Sequence, residues 1–491
     1  MSNTKEVQDR FRLQQFARQA MIDRGLLPDF SVKAIDQLNG MDSHISNIDE
    51  STQDLRNLLW CSIDNDDSND LDQLTTAIEM PEGATKIYIA IADVDAFVKK
   101  SSAIDDHAKH NATSVYTAAQ IFPMLPEKIS TDITSLNYEE DRFALVVEII
   151  IAEDGTMQSS QIYKAIVRNH AKLAYNSVAA WLEGSGPMPE AIGAVNGLAE
   201  NILLQNQVAK KLKTLRHMQG ALDFETIKAR PVFHEDKIKD LEIEKRNSAK
   251  DIIEDFMIAA NSVTARYLTA KNFPSIRRVV RKPKRWERIV EIAGELNFIL
   301  PKDPDSKALD QFLVLSKAAD PLHFPDLSLS IIKLLGPGEY VVELPGEESI
   351  GHFGLAVKDY AHSTAPNRRY PDLITQRLLK AAIAGSPIPY ENEELVTLAK
   401  HCTEVENSAQ KVERQVEKSA AAILLESRIG ETFDAIITGA ADKGTWVRLL
   451  HPPIEGRLGG NSEGEDIGRR LRVQLIRVDV ERGYIDFKKV R

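Results

Sequence analysis

In the stretch SIDNDDSNDLDQL, residues 62–74, five aspartates fall close together: Asp64, Asp66, Asp67, Asp70 and Asp72. Carboxylates this near repel one another, and two arrangements relieve the repulsion. One is a solvated acidic turn, the usual fate of a charge run. The other is convergence on a hard cation. Magnesium takes oxygen ligands in near-octahedral geometry, keeps several waters and commonly completes its shell with a substrate phosphate. In two-metal phosphoryl-transfer sites the ions lie about 3.5–4 Å apart and stabilise both the attacking and the leaving oxygen. Apolar flanks, LLWCSI before the run and LTTAI after it, hold these carboxylates near a folded core, where unpaired charge is costly. In an extended segment Asp70 and Asp72 share a face, and Asp64 reaches them from the end of the preceding strand. The run closes on Gln73, whose amide offers a cation an oxygen but no charge.

A second concentration of charge is basic. IRRVVRKPKRWER, residues 276–288, carries Arg277, Arg278, Arg281, Lys282, Lys284, Arg285 and Arg288 against Glu287 alone. It reads either as one wall of a nucleic-acid path or as a solvated surface stretch. His352 and His362 have no further ligand spaced with them and read as structural.

These side chains need elements to position them. Residues 1–40 read as helix: VQDRFRLQQFARQAMIDRG has apolar residues at helical spacing and ends at Gly25, and Ser31 caps a second short helix. Residues 58–98 and FALVVEIIIAEDGT read as strands, the latter entering a turn at Asp154-Gly155. From about 190 to 272, and again over 305–335 and 370–428, helical patterns dominate. After Gly430 the chain breaks into short β segments split by glycine turns, as in a small barrel or sandwich. A chain of 491 residues is long for a single core. The expected division is an N-terminal helical segment (1–50), a catalytic domain (51–428) and a C-terminal barrel (429–491).

The net charge of −12 argues against a protein that coats itself with nucleic acid, but one basic channel on an acidic body suffices for an enzyme. No apolar run approaches the ~20 residues that span a membrane, so no membrane partner is expected. The N-terminus MSNTKEVQDRFRLQQF lacks the apolar core of a signal peptide. Two distant cysteines, Cys61 and Cys402, make neither a disulfide framework nor a thiolate zinc site, which fits a cytoplasmic protein.

The acidic stretch resembles the active-site signature of the RNase II (RNB) family, an Ile-Asp followed by a cluster ending Asp-x-Asp-Asp. The match continues in order through IADVDAFV, TSVYTAAQIFPMLPEKISTDITSLNYEEDRFALVVEI, YKAIVRNHAKLAYNSV, GALDFE, DIIEDFMIAANS and YAHSTAPNRRYPDLITQRLL. It covers about residues 10–425, and the tail resembles the family's RNA-binding OB-fold. The resemblance implies an α+β fold: an RNB catalytic domain with a central sheet, surrounding helices and an RNA channel, followed by an OB-fold barrel. It implies processive hydrolysis of single-stranded RNA from the 3′ end, releasing nucleoside 5′-monophosphates, with magnesium or alternatively manganese. No obligate protein partner is evident.

Carried over by position, the resemblance makes Asp64 a direct metal ligand, with Asp70 and Asp72 holding metal, its waters or the attacking water. Arg368 matches the arginine that contacts the scissile phosphate, and Arg369 is its neighbour. Tyr116 matches an aromatic that stacks on the terminal base. Tyr175, Phe224 and Glu254 fall in blocks that hold the last nucleotides and sense the ribose 2′-OH, and Glu413 matches a glutamate near the RNA path. In the tail, Trp446 and Arg448 stand where such barrels present aromatic and basic groups to RNA. Taken singly, each has a plainer role: Tyr116, Phe224 and Trp446 as core packing, Arg368 and Arg369 as structural ion pairs, and Glu254 as a surface residue whose neighbour Asp255 holds the task.

Gln73 stands where the family's fourth aspartate is expected. Three readings compete. Asp66 or Asp67 supplies the missing charge; or the site works with three carboxylates and the Gln73 oxygen; or hydrolysis is lost and a non-catalytic RNA-binding protein has kept the fold. Two lesser departures are Asn367, in place of an apolar residue before the arginine pair, and an N-terminal part too short for the cold-shock domain pair of long members, so that a short form is expected.

Overall fold

The computed structural model describes residues 9–41, 51–227, 229–234, 236–243, 246–441, 444–459 and 469–490. A seven-stranded mixed sheet lies at the centre. Its order across the sheet is Gln53–Asp54, Met157–Arg168, Asp141–Ile151, Thr85–Ala92, Gln73–Glu79, Cys61–Asp64 and Ala171–Ala174. The two outer pairs, Gln53–Asp54 with Met157–Arg168 and Cys61–Asp64 with Ala171–Ala174, are parallel, and the rest are antiparallel. The middle strand, TKIYIAIA, is apolar on both faces because helices and neighbouring strands cover both.

Three helices fix the sheet to the site. Leu198–Met218 crosses the Gln73–Glu79 strand, where Asn201 donates to the Ala77 carbonyl (2.8 Å) and Gln205 accepts from the Thr75 hydroxyl (2.7 Å). Ser248–Ala270 is capped by Asn247, which accepts from the Lys250 N–H, and presents a largely buried face. Tyr370–Ala384 is clamped to the far end of the Thr85–Ala92 strand: Gln376 donates to the Ala92 carbonyl (2.8 Å) and Arg377 pairs with Asp105 (2.7 Å).

The acidic stretch is the connection between two neighbouring antiparallel strands. Asp64 is the last residue of one and Gln73 the first of the next. The loop between them is pinned at Leu71, which is buried. Its N–H donates to the Ser135 hydroxyl (3.0 Å), its carbonyl accepts from the Leu136 N–H (2.9 Å), and the Ser135 hydroxyl donates to the Asn69 carbonyl (2.7 Å).

The N-terminal region forms helices Asp9–Asp23 and Val32–Asn39, the second capped by Ser31 as expected, while residues 1–8 and 42–50 of the expected helical segment lie outside the described residues. The first helix packs Leu13, Ala17 and Met21 against Val412, Val416 and Ala420 of the long helix Asn392–Glu426. The expectation that helical patterns dominate from about 190 to 272 is corrected over one stretch by a hairpin, Ala229–His234 with Lys237–Ile243, between two helices. The helical reading of 370–428 breaks at Gly385, which adopts φ +61° and ends one helix before the next begins.

Beyond Glu426 the strands Thr432–Ala441, Gly444–Leu449, Glu455–Gly459, Arg470–Asp479 and Tyr484–Lys489 close into a barrel. Its turn at Gly483 (φ +66°) presses on the long helix so closely that a Cβ there would collide with Lys418. No helix among the described residues is long and apolar enough to cross a membrane.

Ser135→Ala would leave the buried Leu71 N–H without its acceptor. It should lower unfolding free energy by about 1–3 kcal/mol in a denaturant titration, and an unchanged midpoint would show that the loop is held elsewhere.

Candidate active site

A cleft of roughly 290 Å³ opens where the acidic loop, the helix Ser248–Ala270 and the segment 360–369 meet. Asp64, Gln73, Tyr175, Glu254, Arg368 and Arg369 line it, with Met257, Asn261, Tyr360 and Thr364 among the others. Six residues singled out from sequence, spread over about 300 positions, therefore share one concavity.

Asp72 does not itself line the cleft but lies buried behind Arg368, only 2% exposed. Its Oδ1 accepts the Asn367 backbone N–H (2.9 Å). Its Oδ2 is buried without a hydrogen-bond donor and faces Arg368 Nε at 3.4 Å. Burial pushes the Asp72 carboxyl up to about 7, against the pull of the Arg368 charge. Asp64, at the strand end, accepts the Asn65 N–H at 2.7 Å, and burial raises its carboxyl as well, with Asp70 adding to the effect. Asp70 accepts from the Ser68 hydroxyl (3.3 Å) and from the Tyr116 hydroxyl (3.1 Å). Asp66 and Asp67 are exposed at the tip of the turn. Neither lines the cleft.

The two arginines behave differently. Arg369 is fastened to Asp372, which is fully buried in the first turn of the adjoining helix (2.7 Å). Arg368 keeps 41% of its side chain exposed and points at Asp72. The first has the position of a buttress, and the second that of a group free to meet an anion. Tyr116 is 39% exposed, and its backbone N–H donates to Glu413 Oε1 of the long helix at 2.9 Å. Tyr175 opens the helix after the Ala171–Ala174 strand, and its hydroxyl is held in the neutral form by burial and by nearby Asp64. Glu254 faces the cleft with Arg246 at 3.1 Å. The alternative placement on Asp255 is corrected: that carboxylate points inward onto Arg216 and is 2% exposed.

Other expectations lie elsewhere. Phe224 packs with Trp286 and Phe312 in a helical cluster and is not part of the cleft lining. Trp446 is half-buried on the outer face of a barrel strand whose Thr445, Val447 and Leu449 face inward. Arg448, expected to face RNA, instead holds Asp326 through both terminal guanidinium nitrogens, one at 3.1 Å. The basic run is neutralised in part: Arg277 is buried against Glu343 (2.6 Å), Arg278 pairs with Glu406 (2.6 Å), and Arg281 and Arg288 have glutamate partners, while Lys282, Lys284 and Arg285 are exposed. His362 bonds the Tyr340 hydroxyl at 2.8 Å and is kept neutral by burial.

The residues fit a hard cation in one specific way. Among the described residues no three His, Cys, Asp or Glu side chains form a ready cage. A buried carboxylate oxygen with no hydrogen-bond donor, Asp72 Oδ2, has only Arg368 Nε opposite it, at 3.4 Å, and a cation would add to that compensation. Asp64, Asp70 and Asp72 would hold such an ion together with water and phosphate oxygens, the open coordination that magnesium favours.

Ser135, Asn261, Thr364 and Asp372 were not singled out from sequence. Each acts through a backbone group or a partner far along the chain. Only Asp372, three residues after Arg369 at a helix start, carried a local signal.

A family model described as an RNB domain matches residues 52–385, and one described as an RNase II-type exonuclease C-terminal S1 domain matches residues 431–490. Ribonuclease R of Escherichia coli is 30% identical over 473 residues, which cover 89% of this chain and 57% of that protein. The chain thus spans just over half the length of such curated relatives. Among solved structures, Mycoplasma genitalium RNase R in complex with ribose-methylated single-stranded RNA superposes with a TM-score of 0.87 at 22% identity, covering 99% of this chain and 78% of that one. Yeast Ssd1, described as a pseudonuclease, superposes with a TM-score of 0.74 at 15% identity, covering 94% and 57%. These two likenesses concern the fold.

The raised Asp72 carboxyl has a stability consequence. Between the ordinary aspartate range and about 7 the folded state binds the extra proton, so this group's contribution to stability falls as pH rises through that window. In chelator, Asp72→Asn should therefore gain stability relative to the parent as pH goes from 4 to 8, by an amount of order 1 kcal/mol or more. A pH-independent difference in thermal midpoint would refute the assignment.

Proposed function

The chain belongs to the RNB-domain family, and from that membership we propose that it is a metal-dependent 3′→5′ exoribonuclease acting processively on single-stranded RNA. The observation that carries the reading is the buried, donor-less oxygen of Asp72 opposite the half-exposed Arg368, which lines a cleft with Asp64 and Tyr175. Hydrolysis adds water across the terminal phosphodiester. The phosphorus–O3′ bond breaks, the shortened RNA keeps a 3′-hydroxyl, and a nucleoside 5′-monophosphate leaves. A magnesium ion, or manganese in its place, supplies a bound water of lowered pKa and counters charge on the phosphoryl oxygens.

In this reading Arg368 pairs with a non-bridging phosphate oxygen, a charge-assisted bond that strengthens as negative charge develops. Asp72, held by the Asn367 N–H, keeps its free oxygen aimed at the reacting centre. Arg369 does not touch substrate and serves through its bond to Asp372. The half-exposed Tyr116 ring stacks on the terminal base, a contact worth about 1–3 kcal/mol and indifferent to sequence. Glu254 and Tyr175 flank the ribose and recognise the 2′-hydroxyl that distinguishes RNA from DNA. The barrel, with Trp446 half-buried on its outer face, lends further affinity for the strand. Both cysteines are buried and free, and we place the protein in a reducing cytoplasm.

5′-Labelled single-stranded RNA with magnesium should yield a ladder that shortens from the 3′ end and stops on chelation. Tight binding with intact RNA across metals would instead leave a non-catalytic RNA-binding protein. Asp72→Asn should keep RNA affinity and lose cleavage by roughly a hundredfold or more. Arg368→Ala should lower the single-turnover rate more than it weakens binding, and the reverse ranking would make Arg368 only a clamp for the strand.

A further inference from the structure

We propose that Gln73 is a positioning residue and not a cation ligand: its amide ties the acidic strand to the arginine-bearing segment and so sets where Arg368 stands relative to Asp72. The inference rests on the hydrolytic reading above. Its structural basis is the bond from Gln73 Nε2 to the backbone carbonyl of Thr364. A carbonyl oxygen accepts and cannot donate, so the amide nitrogen must be the end that faces it, which fixes the orientation of the amide. A carboxylate at this position would place acceptor against acceptor. The family's aspartate, one methylene shorter and anionic, could not make this contact.

Thr364 matters because it leads into the two arginines. Ahead of the two arginines the backbone of residues 363–367 is fastened by side chains from four residues, and beyond it the Thr113 hydroxyl donates to the Arg368 carbonyl (3.1 Å). Asn261 accepts the Ser363 N–H (2.8 Å), Gln73 donates to the Thr364 carbonyl, Asp372 accepts the Ala365 N–H (2.8 Å), and Asp72 accepts the Asn367 N–H (2.9 Å). The Ala365 carbonyl in turn accepts the N–H groups of Arg368 (3.2 Å) and Arg369 (2.9 Å). Two of the four ties, those of Asp72 and Gln73, come from adjacent residues of the acidic strand entry. An amide in place of the carboxylate at residue 73 therefore exchanges charge for a mechanical link. The other candidate compensators, Asp66 and Asp67, are exposed, so the cation-facing set is Asp64, Asp70 and Asp72.

Two variants of equal side-chain length separate positioning from ligation. Gln73→Met removes both donor and oxygen without adding charge, and Gln73→Glu keeps oxygens, adds charge and removes the donor. Three measurements are made on the full chain: amide hydrogen exchange over residues 361–369 in chelator, manganese affinity by electron paramagnetic resonance, and single-turnover cleavage of labelled RNA beside RNA affinity in chelator. Both variants should speed exchange at Ala365 and Asn367 by about tenfold, the worth of one buried hydrogen bond. Gln73→Met should keep its manganese affinity within about twofold and still cleave about tenfold more slowly, with RNA affinity little changed. Loss of manganese affinity in Gln73→Met makes residue 73 a ligand and overturns the proposal, as does parental exchange in both variants. Should either variant unfold globally, the other carries the exchange test. Parent protein that never cleaves RNA overturns the hydrolytic reading alone, because exchange and manganese binding still report the tie.

Discussion

The structure turns on the cost of burying one carboxylate. Asp72 lies at the junction of two chain segments almost 300 residues apart, with one oxygen bonded to the backbone of Asn367 and the other without any donor. An anionic oxygen in that setting is tolerable only opposite positive charge. Arg368 supplies part of it from the same segment that Asp72 helps to hold. Geometry and electrostatics are thus coupled: the bond that places the arginine also leaves the carboxylate incomplete, and an incomplete carboxylate is what a cation and a phosphate would satisfy.

Support for that junction radiates outward through neutral and charged ties of different kinds. Ser135 holds the acidic loop through backbone groups alone. Asp372 is wholly buried and is paired with Arg369, so it rigidifies the helix start without presenting charge to the cleft. Tyr116 connects Asp70 on one side to Glu413 of the long helix on the other. Through that helix the site is linked to the N-terminal helix and to the barrel, which both pack on it. In the basic run at 276–288, Arg277 and Arg278 belong to this scaffold and are matched by glutamates, while Lys282, Lys284 and Arg285 stay exposed. Acidic partners from distant elements thus offset part of a positive concentration in the sequence.

Gln73 and Asn367 are both departures from the resemblance, and both take part in the same junction. Asn367 lends its N–H to Asp72 and accepts from the Thr134 hydroxyl at 2.6 Å, while Gln73 bonds the carbonyl three residues before it. Polar side chains at these two positions replace charge and apolar bulk with directional bonds.

Most periodic elements and the order of the family's blocks were legible in the amino-acid sequence. The acidic loop was readable because five aspartates between two apolar strands have few places to go, and Ser31 marked a helix start by local backbone chemistry. The 229–243 hairpin was hidden because its strands are short and half-exposed, with little alternation to set them apart from helix. Folding alone settled that Arg369 is committed to Asp372 while Arg368 stays half-exposed beside Asp72, that Phe224 and Arg448 serve packing and docking, and that Gln73 commits its amide to Thr364. Those outcomes depend on backbone groups and partners far along the chain, and a side chain's type and neighbours in sequence carry no record of what the fold sets opposite it.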